Sequence, residues 1–335
     1  MKRADRLNVA RAMAVGLAGL AWANTMAVAA PASPSPAADP PTNPLWSEQK
    51  VRNYLPDMSW PEVEDLLKRT DMVIIPVGSL EEHGLHGPIG TDFLNGTEQA
   101  KLIAQKTDVL VAPILMPGNS PYHMGFPGTI TLSAETIEKV YFEAVQSLIK
   151  HGFRRFLLLN AHGGNAATTR FIVDRINQET PGVAVELGEA AGPFMSGAYK
   201  AAVAKGAKEF PEPRVFDRHS GVGETSDSLY LIPNLVNMKA ARTAKMTLPP
   251  HLQAMLPQVI AKDRTANLVF LAEALKAKET GKHTSTREMS DTGVWGVADI
   301  TTASAAQGKV QTETFVDASV QFIEAWKKLR PMGVN

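Results

Sequence analysis

From Asp71 onward, short apolar runs alternate with longer stretches that are apolar along one helical face, and this alternation restricts the chain to parallel βαβ units. MVIIPV (Met72 to Val77), VLVAPIL (Val109 to Leu115), RFLLLN (Arg155 to Asn160) and VAVELG (Val183 to Gly188) are read as strands. Each is almost wholly apolar, as a strand covered on both faces must be. Between the second and third, Ile137, Val140, Tyr141, Ala144, Val145, Leu148 and Ile149 recur at helical spacing behind Ser133 as N-cap, and Gly152 ends the run. The expected fold is α/β, a three-layer α/β/α sandwich with a mainly parallel central sheet and a mainly helical C-terminal third. The stretch from Pro193 to Pro213 is assigned no element.

The N-terminus follows other rules. Lys2, Arg3, Arg6 and Arg11 lead into an apolar stretch from Ala12 to Ala23, and Ala27-Val28-Ala29 is a small-x-small cleavage signal. That apolar run falls short of the ~20 residues a spanning helix needs. Residues 1–29 are therefore read as a signal peptide, residues 30–45 as a Pro/Ala-rich linker and residues 46–335 as one domain, with packed structure beginning near Leu45. The expected location is outside the cytoplasm, in the periplasm or secreted. Lys plus Arg and Asp plus Glu each number 34, so no charge excess favours nucleic acid or a membrane surface, and the partner is expected to be a small molecule. With no cysteine in the chain, thiol nucleophiles and zinc-thiolate sites are excluded, and any metal must be held by His and carboxylates.

Such residues cluster where strands end. GSLEEHGLHGPIGTD follows the first strand; Glu81 and His83, two apart, point to one side of an extended segment, and the Gly/Pro-rich continuation can bring Asp92 back toward them. Asp92 could equally cap the helix that starts near Phe93, and His83 could be a turn histidine. At the end of the third strand NAHGGN places His162 before two glycines, a pattern that also serves as an ordinary strand-to-helix turn. Open α/β sheets bind ligands at this carboxyl edge. Downstream, HSGVGETS carries His219 and Glu224, the latter a candidate for capping or pairing at a helix start. In the YHMGFPGT loop, the rings of Tyr122, His123 and Phe126 could line a pocket or pack in the core.

In this order, GSLEEHGLHGPIGTD, HMGFPGTITLS, NAHGGN, HSGVGETS and, more loosely, TGVWGVADITTASAAQG resemble the creatininase (creatinine amidohydrolase) family over roughly Asp71 to Gly308. The resemblance implies two divalent metal ions (zinc with zinc, manganese or iron) held by Glu81, His83, Asp92 and His162, with Asp92 bridging. It further implies that a hydroxide bridging the ions attacks an amide carbon, that His219 shuttles a proton to the departing nitrogen, and that the chain assembles as a homo-oligomer, a hexamer in the family. One position departs. Creatininase proper has a metal-binding glutamate two residues after the matching histidine, and here that position is Gly164, so Glu224 is the carboxylate placed by motif to take over. The family also holds deformylases of pyrimidine or pterin precursors and an enzyme that trims a peptide-derived cofactor precursor, so fold alone names no substrate.

The function expected is thus a metal-dependent amidohydrolase cutting a non-peptide C–N bond in a cyclic amide, lactam or formamide. The alternative is an exported metal- or ligand-binding protein that kept the fold without catalysis. A phosphoesterase is disfavoured, because no basic cluster stands beside these motifs to hold a phosphate, Arg218 just before HSGVGETS being the only obvious cation.

Overall fold

The computed structural model describes residues 40–46, 50–115, 117–210, 215–275 and 285–334. The signal peptide and most of the linker expected from the sequence lie outside the described residues. Packed chain is present by Asn43, whose backbone N–H donates to the Tyr230 carbonyl at 2.7 Å and whose side chain donates to Glu98 Oε2 at 2.8 Å.

In chain order the main elements are α1 (Trp60–Leu67), β1 (Met72–Val77), α2 (Thr91–Thr107), β2 (Leu110–Val111), α3 (Ala134–His151), β3 (Arg155–Asn160), α4 (Ala166–Glu179), β4 (Val183–Glu186) and α5 (Leu187–Ala204). They continue with β5 (Asp217–His219), α6 (Val222–Leu231), α7 (Pro250–Ile260), α8 (Arg264–Ala274), α9 (Ser285–Met289), β6 (Trp295–Gly296) and α10 (Ala305–Leu329). The central sheet runs β2-β1-β3-β4, all parallel, and β5 pairs with β6 in a separate antiparallel ribbon.

Alternation along β1 explains the three layers. Val73, Ile75 and Val77 pack with Ile137, Tyr141 and Val145 of α3 and Ile172 and Ile176 of α4. Met72 and Ile74 pack on the other face with Ala100, Ile103 and Ala104 of α2 and Val316 and Ile323 of α10. All six residues of β1 are buried, and at about 1.5–3 kcal/mol per fully buried side chain the strand is a firm mount for whatever hangs from its end. The expected sandwich is therefore the fold observed.

Two expected strands are shorter in the structure. The run Val109 to Leu115 pairs only over Leu110–Val111: Ala112 N–H still donates to the Ile74 carbonyl (2.9 Å), but the next donor on the facing strand would be Pro76, which has no N–H. The run Val183 to Gly188 stops at Glu186, whose side chain accepts from the Gly188 and Glu189 N–H groups and so caps α5. Ser133 caps α3 and Gly152 ends it in a left-handed conformation, as the sequence predicts. The stretch with no assigned element is largely α5, a helix that tolerates Pro193 in its interior, while residues 211–214 lie outside the described residues.

Topology then fixes where a ligand can sit. After β1 the chain turns onto the face carrying α2, and after β3 it turns onto the opposite face carrying α4. Adjacent parallel strands whose connections diverge leave a crevice at their carboxyl ends, here between Val77 and Asn160, which pair in register.

Candidate metal centre

Every motif singled out in the sequence except Phe126 and the C-terminal one feeds side chains directly into that crevice. The segment after β1 is held by Glu81 N–H donating to the Ile89 carbonyl (2.9 Å) and by a bridge between Leu80 and Ile130. It turns back at Gly87, whose N–H donates to the His83 carbonyl (3.0 Å), and enters α2, with Asp92 in its first turn. Ala161 N–H donates to the Val77 carbonyl (2.9 Å), so His162 leaves β3 beside the same strand end. The ribbon of β5 and β6 delivers His219, and the first turn of α6 delivers Glu224. The C-terminal motif contributes β6 and so acts by holding β5.

Asp92 occupies the middle. Its Oδ1 lies 3.2 Å from His83 Nε2 and its Oδ2 lies 2.9 Å from His162 Nδ1. Glu81 Oε1 is 3.3 Å from His162 Nδ1, and Glu224 Oε1 is 3.3 Å from His83 Nε2. Donor atoms converge in Glu81–Asp92–His162 and in His83–His219–Glu224, with Asp92 Oδ1 also beside His83, and Glu81, His123 and His219 form a further group next to them. The separations match a tetrahedral ligand shell, where bonds of about 2.0 Å put neighbouring donors roughly 3.3 Å apart. Asp92 Oδ2 is buried and accepts no aligned hydrogen bond despite the short approach of His162, so oxygen and ring nitrogen face a common point as two ligands of one cation do. Nitrogen and carboxylate donors without sulfur suit zinc, manganese or iron(II). The residues present fit a pair of such ions.

Hydrogen bonds behind the rings support this orientation. His83 Nδ1 lies 3.1 Å from the Glu81 carbonyl and His162 Nε2 lies 3.0 Å from the Asn119 carbonyl. A carbonyl can only accept, so each ring donates backward and turns its lone pair toward the carboxylates. Ser120 and Tyr122 hydroxyls also approach His162 Nε2, at 3.1 and 3.3 Å.

Charge follows the same plan. Burial pushes the His83 and His162 imidazoles down, but the carboxylates beside them (chiefly Glu224 and Asp92, and Glu81, respectively) outweigh it, raising His83 well above its usual value and His162 to about 10. Burial likewise disfavours charge on Glu81, Glu224 and Asp92. The imidazole neighbours prevail, holding Glu81 and Glu224 down at about 2 and Asp92 below its ordinary value. The cluster is built to hold positive charge.

The remaining sequence candidates fall as follows. His219 sits with its ring 4.6 Å from that of His83 and 4.2 Å from that of His123, and its Nδ1 lies 3.5 Å from Glu81 Oε1. Burial and the His83 charge lower His219, yet Glu82 and Glu81 bring it up to about 9. Asp92 makes no capping hydrogen bond in α2. Glu224 does not cap α6, whose N-cap is Gly221; its Oε2 accepts from the Ser220 N–H (2.5 Å) before the helix while Oε1 faces His83. Tyr122 packs its hydroxyl against Gly164 and beside His162. His123 is buried among Glu81, Glu82 and Thr286 rather than lining an open wall. Phe126 is buried beneath the Arg287 guanidinium, 4.9 Å from its ring centre.

Gly164 is filled from outside. A Cβ there would stand 2.3 Å from both the Asn119 carbonyl oxygen and the Tyr122 hydroxyl, so no side chain fits without displacing them. The carboxylate that approaches His83 is Glu224 of α6. Sequence reasoning missed Glu82, His86 and the Asn119 carbonyl. His86 Nε2 lies 2.8 Å from Thr225 Oγ1 and ties the loop after β1 to α6 next to Glu224. Alternation around Glu81 and His83 would have placed Glu82 on the opposite side.

Residues 56–323 match the creatininase family, described as creatinine amidohydrolase. Among curated relatives, a 3-dehydro-scyllo-inosose hydrolase of Thermotoga maritima is 37% identical over 117 residues, which span 35% of this chain and only 38% of that protein. Creatinine amidohydrolase of Pseudomonas putida is 30% identical over 217 residues, 59% of this chain and 79% of that one. The mycofactocin precursor peptide peptidase of Mycolicibacterium smegmatis is 26% identical over 262 residues, 76% and 85%. A solved creatinine amidohydrolase superposes with a TM-score of 0.57 at 22% identity, covering 85% of this chain and 99% of that one, a likeness of fold. The chain belongs to the creatininase (creatinine amidohydrolase) family of hydrolases.

Proposed function

We propose that this hydrolase is an exported, metal-dependent amidohydrolase that holds two divalent ions through Glu81, His83, Asp92, His162 and Glu224 and cleaves a non-peptide C–N bond in a cyclic amide, lactam or formamide. The observation that carries the reading is Asp92, whose two oxygens face two different imidazoles at 3.2 and 2.9 Å. Zinc, manganese or iron bound there supplies polarisation of a carbonyl oxygen and an activated water at neutral pH. His83 and His162 are oriented by backbone carbonyls, Glu81 and Glu224 balance charge, and His219 Nδ1 is turned inward to take a proton and return it to the departing nitrogen. Of the three ring residues expected to face substrate, Tyr122 keeps that place beside His162, while His123 and Phe126 are buried behind the site. Glu224 in ligand position speaks against the reading in which the fold lost a second ion and its chemistry.

The choice of an amide rests on relatives whose names specify creatinine and a precursor peptide as targets. Export and assembly as a homo-oligomer, a hexamer by family likeness, belong to the same proposal. Mature protein beginning at Ala30, loaded with zinc or manganese, is to be assayed against cyclic amides, formamides and short peptides. Hydrolysis of a small amide with close to two ions per chain is expected. Protein that retains no ion, or equal turnover after chelation, would refute metal dependence, and cleavage confined to peptides would refute the bond class.

A further inference from the structure

Successive carboxylates in an extended segment point opposite ways, and the structure uses both. Glu81 faces the metal positions. Glu82, buried, reaches behind the rings of His123 and His219: its Oε1 lies 2.9 Å from His123 Nδ1 and 3.3 Å from His219 Nε2. The far nitrogens of the same two rings, His123 Nε2 and His219 Nδ1, lie 3.6 and 3.5 Å from Glu81 Oε1. Two imidazoles are thus held between consecutive carboxylates, one in front and one behind.

We infer that Glu82 is a positioning residue that keeps the ring protons of His123 and His219 on its own side, so that both rings turn a lone pair toward the reacting side. The inference rests on the two-ion reading of the centre. His219 Nε2–H donates to the Glu82 backbone carbonyl at 2.7 Å. His123 Nδ1 lies 2.9 Å from Thr286 Oγ1, whose own proton goes to the Tyr122 carbonyl, so the ring must donate there. Glu82 Oε1 accepts no aligned hydrogen bond and stands between these two N–H groups. A ring lone pair turned toward that buried oxygen would be repelled, which disfavours the other tautomer of each ring.

An amide cannot substitute. Glu82 Oε2 accepts the Gly84 N–H at 2.9 Å, and Gly293 lies so close that a Cβ there would be 2.0 Å from Oε2. In Glu82→Gln the oxygen is therefore drawn to the Gly84 side and the NH2 to the rings, where it meets N–H groups and favours the reversed tautomer of His123, with the Thr286 hydroxyl turning its proton from the Tyr122 carbonyl to Nδ1.

The test uses full-length mature protein loaded with zinc, with histidine rings labelled in 15N. In the wild type, NMR should show His123 protonated at Nδ1 and His219 at Nε2. Glu82→Gln should keep both zinc ions, move the His123 proton to Nε2, and lower kcat about 100-fold with KM changed less than about threefold on whichever amide the substrate panel yields. Glu82→Asp, which restores an acceptor, should recover part of the loss. Unchanged tautomers in Glu82→Gln overturn the inference, as does loss of zinc from it, which would make Glu82 part of the ligand shell. Failure of the two-ion reading itself would show separately, as wild-type protein that holds no zinc.

Discussion

Loading the centre with metal is expected to expel protons, and their number can be worked out from the site. In the metal-free protein His162 titrates at about 10 and His83 is raised in the same sense. At about pH 7 His162 is then three units below its midpoint, protonated in all but roughly one molecule in a thousand, and a ligand imidazole must be neutral. Glu81 and Glu224, held at about 2, have no proton to give. Binding two ions should therefore release about two protons from the ligand imidazoles and a third from His219, which titrates at about 9 without metal and is neutral in the loaded site, against roughly 0.7 proton if all three titrated at their ordinary ~6.5. Because the raised groups hold protons up to high pH, affinity climbs with pH, the product of the two binding constants rising about 1,000-fold per unit near neutrality and levelling as pH passes the His219 and His162 midpoints. Zinc titration calorimetry of chelator-stripped protein in two buffers of different ionisation enthalpy counts the protons. Release near zero, or affinity flat between about pH 6 and 8, would refute the assignment of these imidazoles as ligands.

Three substitutions probe the rest. Asp92→Ala removes a donor from each metal position and should abolish binding of both ions and all turnover, read by elemental analysis and activity on the same preparation. Glu224→Gln should weaken one ion at least tenfold more than the other, since Glu224 faces only His83, and equal retention of both would strike Glu224 from the ligand set. Gly164→Ala drives a Cβ to 2.3 Å from a backbone oxygen that cannot step aside, and should cost about 1–3 kcal/mol, seen as a Tm lowered by several degrees; an unchanged Tm would mean the Tyr122 and Asn119 packing is not as tight as drawn.

Much of the site was legible because its parts are local. Glu81, His83 and Asp92 come from fifteen residues that follow one strand, His162 directly follows another, and strands as apolar as MVIIPV and RFLLLN have no alternative to the buried centre of a sheet. What local pattern misjudged was extent. VLVAPIL reads as seven strand residues, yet pairing ends after two, where the facing strand presents Pro76 and has no N–H to donate.

Glu224 marks the boundary between the two kinds of information. From sequence alone a glutamate in a helix's first turn is equally a cap, and here one oxygen ties back the Ser220 N–H just before the helix; that the other reaches His83 depends on α6 being drawn to the loop after β1 through His86 and Thr225. Likewise Glu82 is one residue among charged neighbours until β5 brings His219 behind it. Residue order and apolar period determined the sandwich and the cluster of His and carboxylate side chains at the strand ends, because both arise from contacts near in the chain. Which carboxylate completes the second donor group, and which nitrogen each histidine turns inward, was decided only when segments more than a hundred residues apart were packed within hydrogen-bond distance, and one-dimensional spacing carries no record of that approach.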